Sequence, residues 1–429
     1  MHQTSPKLSA LSSITLCAGM WLWVNNVQAQ SLRELVEHAW LSHPTVLAAQ
    51  SRTQASEADI QRATSAHYPQ IDYSLTRSNQ ANNNLPPGVE QTGRVPTARL
   101  NLWSGGRIQA DVNRSKHLTQ AAQWQQRQLQ EDVTLQVVEA FIRWYSASEL
   151  HVLALKNLDA HRLTMNDIAK IAAIDTGRRI DLEQARIRHD NAEFSLLQRE
   201  LDLDQAKQQL SRFWPRELAP LNTQIFEKSL EALGAYPLSL NEVLTAISDE
   251  LPAVAQQQAQ VLASQAGIDM AKSQFWPSLD VMSSRQPNPN SPVYAQETLT
   301  QLRLSMPLFS GGSSQAGLNT AVHQHASAKH LLEEARVSAK EKAVLTWQEL
   351  KSLQDRSQRA QTQVTAGHKL LEGYRQQFRL GRRQLLDLLN AQNEVFNYQT
   401  QATRTRFDEY VLRARLLASL GHLTQRFKL

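Results

Sequence analysis

The chain has 429 residues, of which 41% are apolar, 20% charged and 6% aromatic, and it contains 15 Gly, 15 Pro and one Cys. A single cysteine excludes a disulfide scaffold, and the low share of Gly and Pro favours long helices over a loop-rich fold. The net charge of +5 comes from 45 Lys and Arg residues against 40 Asp and Glu residues spread along the chain. Without a dense basic block, a nucleic-acid partner is not predicted.

Residues 1–29 have the pattern of a cleavable secretory signal peptide. A positive start precedes an apolar run from Leu8 to Val24, and a Val-x-Ala site ends at Ala29. We expect the mature chain to begin at Gln30 without cysteine, which excludes disulfides, thiol catalysis and cysteine metal sites. An uncleaved anchor is disfavoured because the run is at the lower limit for spanning a bilayer. Lipidation of Cys17 is disfavoured because Leu16 is not small.

Two long segments without Gly or Pro predict very long helices. The first lies between Gly106 and Gly177, and the second runs from Leu318 to Ala366. Apolar residues in the first segment recur with a mean spacing of about 3.6, the period of an amphipathic helix. They are Leu129, Val133, Val137, Ala140, Trp144, Ala147, Leu150, Ala154 and Leu158.

Segments of period two lie between the helical blocks. Apolar and polar residues alternate near 71–75 and 98–102 and again near 279–281 and 302–306, which predicts strand–loop–strand units at about 70–103 and 278–309. The predicted loops are Gln80–Pro96 and Gln286–Gln296. The apolar face of such strands meets a core in a soluble sheet or lipid in a transmembrane barrel. Four strands are too few to close a barrel, so membrane crossing would require an oligomer.

The two halves of the sequence repeat each other at a shift of about 207 residues. Tyr68-Pro69 falls on Trp276-Pro277, and Leu-Trp-Ser-Gly-Gly at 102–106 falls on Leu-Phe-Ser-Gly-Gly at 308–312. We therefore predict two structural repeats at 30–213 and 239–421, an inter-repeat linker at 214–238 and a C-terminal tail at 422–429. The predicted strand-to-helix turns contain Gly105, Gly106, Gly311 and Gly312.

These motifs, together with Gly-Arg-Arg-Gln-Leu-Leu-Asp-Leu-Leu-Asn-Ala at 381–391, resemble those of the TolC-like family of outer-membrane efflux and secretion channels. The resemblance implies a mainly α-helical fold with a small β part. Three chains would form one tube, each giving four strands to a shared 12-stranded transmembrane β-barrel and its helices to a long α-helical barrel. The long helices would be Arg107 to about Ile174 and about Gln315 to Leu380. The shorter helices would be about Thr45 to His67, Asp181 to Phe213, Ala253 to Phe275 and Gln384 to Leu420.

The resemblance also implies function, location and partners. The chain would be a homotrimeric channel in the outer-membrane lipid that extends into the periplasm. It would pass substrate from an inner-membrane ABC or proton-driven transporter, through a periplasmic adaptor (membrane fusion) protein, to the exterior. The segment 175–185 resembles the type I secretion branch, particularly that for large surface adhesins. A soluble periplasmic helical adaptor or scaffold remains the alternative.

Gate residues are carried over from the family by motif position. Asp181 and Arg383 would form the bond that holds the helix ends inward, and Asp387 would be an acidic residue of the pore ring. Asn390 stands where many relatives have a second acid, and Phe378 stands where some have a Tyr. In an alternative interpretation, Asp181 and Asp387 are ordinary acids at helix N-termini and the neighbouring arginines form a solvated basic turn.

No motif of an enzyme or of a nucleotide site occurs in the sequence. There is no Gly-rich phosphate loop, no H-E-x-x-H and no G-x-S-x-G. His323 and His325 are two residues apart on a predicted helix and would face different directions, so a metal site there is not predicted. We expect neither catalysis nor a cofactor, and energy for transport would come from the partners.

Overall fold

The computed structural model describes residues 31–78, 91–218, 222–231, 233–287 and 296–427. The predicted signal peptide and most of both predicted strand loops lie outside these ranges. The helices are α1 (Leu32–Ser42), α2 (Pro44–Ser65), α3 (Arg107–Ile174), α4 (Arg179–Ser211), α5 (Thr223–Glu231), α6 (Leu240–Ala246), α7 (Pro252–Lys272), α8 (Ser313–Arg379) and α9 (Leu385–Ser419). The strands are β1 (Gln70–Ser78), β2 (Gln91–Trp103), β3 (Ser278–Pro287) and β4 (Gln296–Ser305).

The two long helices are confirmed. Helix α3 has 68 residues and α8 has 67, so each is about 100 Å long. Both begin after a glycine in the left-handed region, Gly106 with φ 86° and Gly312 with φ 84°. The absence of Gly and Pro between Gly106 and Gly177 therefore located both ends of α3, because these residues are the costly ones inside a helix.

Helix α3 packs against other helices along its whole length. It contacts α2 and α7 along its first half and α4 and α9 along its second half, while α8 packs on α7 and α9. The predicted apolar stripe of α3 is confirmed from residue 133 to residue 154, where all seven of its members are buried, whereas Leu129 and Leu158 are half-buried. The main core lies at the middle of α3, where the segment 133–147 packs against α1, α5 and the C-terminal end of α9.

A buried carboxylate holds the C-terminal segment against this core. Glu131 is only 3% exposed. It accepts a hydrogen bond of 3.1 Å from the backbone N–H of Thr424 and a second from the Thr424 hydroxyl. A charged side chain is rarely buried unless it is fully hydrogen-bonded, so this contact fixes the final short helical turn to α3.

We expect Thr424→Val to lower the free energy of unfolding by about 1 to 3 kcal/mol, because it removes a hydroxyl donor from a buried carboxyl group. Urea unfolding followed by circular dichroism measures the change. Thr362→Val is the matched control, since Thr362 is exposed on α8 and its hydroxyl donates only to the carbonyl of Gln358. Equal losses for the two variants would contradict the assigned role of Glu131.

The four strands form one antiparallel sheet in the order β1-β2-β3-β4. Ile71 pairs with Ala98, Val281 pairs with Leu100 and with Leu302, and these residues share one face of the sheet. The opposite face carries polar side chains, among them Asp280, which accepts a hydrogen bond of 2.9 Å from Asn101 and lies 3.5 Å from Arg99. The predicted alternation is therefore confirmed.

Strand β2 is longer than predicted. It begins at Gln91 and includes Pro96, which we assigned to a loop. Pro96 pairs with Tyr73 of β1, whereas pairing with β3 begins only at Thr97. At Pro96 the strand thus has one neighbour instead of two, and a residue without a backbone N–H is tolerated where one edge is unpaired.

Candidate functional site

The two helical hairpins meet at one end of the molecule, which we call the hairpin end and define as residues 374–392 together with 164–188. Its first turn joins α3 to α4. The Asp175 carboxylate accepts a hydrogen bond of 3.0 Å from the Gly177 N–H, and Arg178 lies 3.8 Å from Asp175 and 3.5 Å from Asp181. Asp181 is in the first turn of α4, where a negative charge is favoured by the helix dipole.

The second turn joins α8 to α9 and has a different backbone. Gly381 has φ +69°, and the N–H of Arg382 donates to the carbonyl of Gln377 at 2.9 Å, as in a glycine-terminated helix end. Arg383, in this turn, lies 3.5 Å from Asp387 in the first turn of α9, and its guanidinium lies 4.0 Å from the centre of the Tyr374 ring. This stacking holds Arg383 against α8 as well as α9.

A small apolar cluster separates the two turns. Its buried members come from α3, α4 and α9, and one partly buried phenylalanine comes from α8. The cluster consists of Ile168, Ala185, Leu385 and Leu389 with Met165, Leu182 and Phe378 packed against it. Phe378, which is half-buried, packs its ring against this apolar cluster.

Two polar contacts join the hairpins beside this cluster. The Arg188 guanidinium of α4 donates to the side-chain carbonyl of Asn390 of α9 at 2.9 Å. The Gln392 amide of α9 donates to the Thr164 hydroxyl of α3, also at 2.9 Å. Sequence reasoning selected Asn390 but missed its partner Arg188. No local signal could reveal this pair, because its members are 202 residues apart.

The predicted gate residues thus lie together at the hairpin end. Within one chain, however, Asp181 pairs with Arg178, and Arg383 pairs with Asp387. The bond between Asp181 and Arg383 that would hold the helix ends inward remains a prediction.

The strand-to-helix turns lie at the other end of the long helices. Gly105 and Gly311 have φ of 63° and 62°, in the left-handed region that favours glycine. The next residue in each turn, Gly106 or Gly312, is also left-handed and precedes the first residue of a long helix. Two consecutive left-handed residues turn the chain sharply just before each long helix. Three residues, 104–106, separate β2 from α3, and seven, 306–312, separate β4 from α8.

The described residues offer little to a metal or cofactor. His325 contacts the Ser264 hydroxyl at 2.9 Å. His189, Asp190 and Glu193 bring one possible ligand atom each within 4.8 Å of one another, but the two acids are exposed on α4, and exposed acids commonly cluster without an ion. Among the helices described, none is both long and apolar enough to cross a membrane.

One face of the sheet is apolar and exposed. Ile71 is 80% exposed and Leu304 is 69% exposed, and Tyr73, Leu75 and Leu302 are exposed as well. Contiguous apolar surface of this kind marks a site of contact with lipid or protein. In the described chain, β1 and β4 each pair with one strand only.

Comparison with known proteins identifies the family. The sequence matches the outer membrane efflux protein family over residues 35–214 and 244–422. The solvent efflux pump outer membrane protein SrpC of Pseudomonas putida is 23% identical over 354 residues, covering 77% of this chain and 70% of that protein. The fold is similar to that of CusC, with a TM-score of 0.78, 18% identity and coverage of 91% and 92% of the two chains. For the open state of the Neisseria gonorrhoeae outer membrane channel MtrE, the TM-score is 0.76, with 17% identity and coverage of 92% and 89%.

The family match agrees with the resemblance to TolC-like channels, a group of channel proteins rather than enzymes. The chain belongs to the outer membrane efflux protein family.

Proposed function

We propose that this chain forms a homotrimeric outer-membrane channel that carries substrate from the periplasm to the exterior. The exposed apolar face of the four-stranded sheet is the observation that carries the proposal. Three copies of the sheet would join through β1 and β4 into a closed 12-stranded barrel, which removes the unpaired edges and turns the apolar faces towards lipid. The long helices would extend the tube into the periplasm.

The mass of the assembly tests this proposal. We expect protein purified from membranes in mild detergent to have the mass of three mature chains by native mass spectrometry, each lighter than the full 48.4 kDa by the signal peptide, and to form channels in planar bilayers. The family match favours a channel over a soluble adaptor, and cell fractionation separates the two. A monomer recovered from the soluble periplasm would refute the channel.

The relatives and the sequence favour different transporters for this channel. SrpC is the outer-membrane protein of a solvent efflux pump, which favours an efflux partner, for which the family resemblance implies a proton-driven transporter and a periplasmic adaptor. The segment 175–185 favours type I secretion with an ABC transporter instead. Crosslinking in cells, followed by copurification and mass spectrometry of the inner-membrane component, distinguishes a proton-driven partner from an ABC partner.

The hairpin end is the proposed gate. Arg383 and Asp181 would bond to the neighbouring chain, while Arg188 and Asn390 hold the two hairpins of one chain together at 2.9 Å. Asp387 of each chain would contribute one carboxylate to the pore ring. An outward movement of α8 and α9 would then break these contacts and widen the pore.

We expect Arg383→Ala, Asp181→Ala and Asn390→Ala each to raise single-channel conductance in a planar bilayer, because each removes one contact that holds the helix ends inward. Arg62→Ala is the matched control, since Arg62 is exposed on α2, outside the hairpin end, and pairs with Asp59 one helical turn away. A gate elsewhere in the tube would leave all four variants at the wild-type conductance.

A further inference from the structure

A polar cavity of about 650 Å³ lies between α4 and α9, with α3 at its floor. Small-molecule sites have volumes of about 300 to 1,000 Å³, whereas one water molecule occupies roughly 30 Å³. Side chains from all three helices line the cavity, among them Arg188, Arg199, Arg404, Asp408, Thr400 and His161.

The spacing of these residues makes the cavity a continuous groove. Arg188 and Arg199 are three helical turns apart on one face of α4. On α9, Thr400, Arg404 and Asp408 recur every four residues, so they also share a face. Both helices therefore present a polar stripe to the same space over α3.

Cations outnumber anions in the wall of the cavity. Arginine stays protonated, so three guanidinium groups face the single carboxylate of Asp408. Arg199 also contacts Asp202 at 2.8 Å, and Arg188 donates to the uncharged amide of Asn390. The wall remains positive even when Asp202 is included.

Two buried polar atoms at this cavity lack a hydrogen-bond partner among the described residues. They are Nδ1 of His161, a residue only 3% exposed, and the hydroxyl oxygen of Thr400. A buried polar atom without a partner is costly, and most such atoms in folded proteins are satisfied. These two unpartnered atoms therefore share one cavity with three guanidinium groups and a single carboxylate, that of Asp408.

We propose that the cavity binds a small organic oxyanion carrying several carboxylate or phosphate groups. Arginine recognises both groups through paired N–H donors, and the Thr400 hydroxyl and the His161 ring donate to the remaining oxygens. A carboxylate or phosphate supplies the negative charge that the single carboxylate of Asp408 leaves unmatched. This inference does not depend on the proposed channel function.

The ionisation of His161 agrees with such a site. Burial, with the positive charge of Arg188 and the neighbouring His189, lowers the pKa of His161 to about 4. The ring is then neutral at neutral pH in the free protein. A bound anion would offset the charge of Arg188 and raise this pKa.

Isothermal titration of the purified full-length protein at neutral pH tests the proposal, with citrate and inorganic phosphate as separate probes. We expect saturable binding of citrate, weaker binding of phosphate, and a loss of affinity of at least about tenfold in Arg404→Gln and Arg199→Gln. Arg359→Gln removes the same charge from an exposed position on α8 outside the cavity, and it should bind like the wild type.

A second measurement uses only the wild-type protein, so it tests the proposal even if the variants fold poorly. The pKa of His161, followed by NMR of histidine-labelled wild-type protein, should rise when citrate is added and stay constant when sodium chloride is added instead. The proposal is overturned if neither probe binds the wild-type protein saturably, since water alone then fills the cavity. It is equally overturned if well-folded Arg404→Gln and Arg199→Gln keep the wild-type affinity, or if citrate leaves the pKa of His161 unchanged.

Discussion

The free energy of unfolding is expected to fall by about 3 kcal/mol between pH 6.5 and about pH 4 because of His161 alone. The pKa of this ring is about 4 in the folded protein and 6.5 when it is free in solution. Between these values the unfolded chain binds the proton and the folded chain does not. The stability that the neutral His161 ring gives the folded protein is therefore fully present above pH 6.5. It is lost as the pH falls towards 4, because proton uptake then favours the unfolded chain.

Urea unfolding across this pH range measures the effect, in amine buffers that contain no oxyanion. His161→Gln should flatten the pH dependence, because glutamine takes up no proton. His330→Gln, at an exposed position on α8, should keep the wild-type slope. Part of the slope should persist in His161→Gln, since burial also lowers the pKa of His43 and of His422. Identical slopes in the wild type and His161→Gln would refute the assignment.

The sequence was most informative where one local rule determines the structure. Helix α3 begins and ends where predicted because glycine marks both of its limits and nothing between them opposes a helix. Its apolar period also identified the core residues from Val133 to Ala154. The strands were recognisable because alternation with period two has no helical interpretation. Pro96 was the exception, because we assigned it to a loop although it lies in β2. A proline is tolerated there because pairing with β3 begins only at Thr97, and the local sequence does not reveal where that pairing begins.

The chemistry of the site was less accessible from sequence. Asp181, Arg383 and Asp387 were selected by motif, and they do lie at the hairpin end. Their partners within the chain, however, are residues three or four positions away. The contact between Arg188 and Asn390 depends on how α4 and α9 are rotated about their axes, which is set by packing on α3. Glu131 and His161 escaped notice for the same reason, since nothing local distinguishes a buried polar residue from an exposed one on a long helix.

The two strand-to-helix turns allow a test in which sequence and backbone are nearly the same but the surroundings differ. Gly105 and Gly311 have almost equal φ, 63° and 62°. A Cβ atom at Gly105 would lie 2.6 Å from Cβ of Trp276 and 3.0 Å from the carbonyl oxygen of Ser273, whereas a Cβ at Gly311 would meet nothing within 4 Å. The first turn therefore packs on the helix-to-strand junction of the second half.

We expect Gly311→Ala to destabilise the folded protein by about 1 to 2 kcal/mol, the cost of a left-handed alanine. Gly105→Ala should cost about 1 to 3 kcal/mol more, because the added methyl group overlaps an atom fixed to the backbone that no side-chain rotation can move. The urea midpoints of the two variants, measured in the same detergent, compare how strongly each substitution destabilises the folded protein. If the two midpoints shifted equally, backbone strain alone would account for both glycines. A larger shift for Gly105→Ala would show that close packing between the two halves requires glycine at this turn.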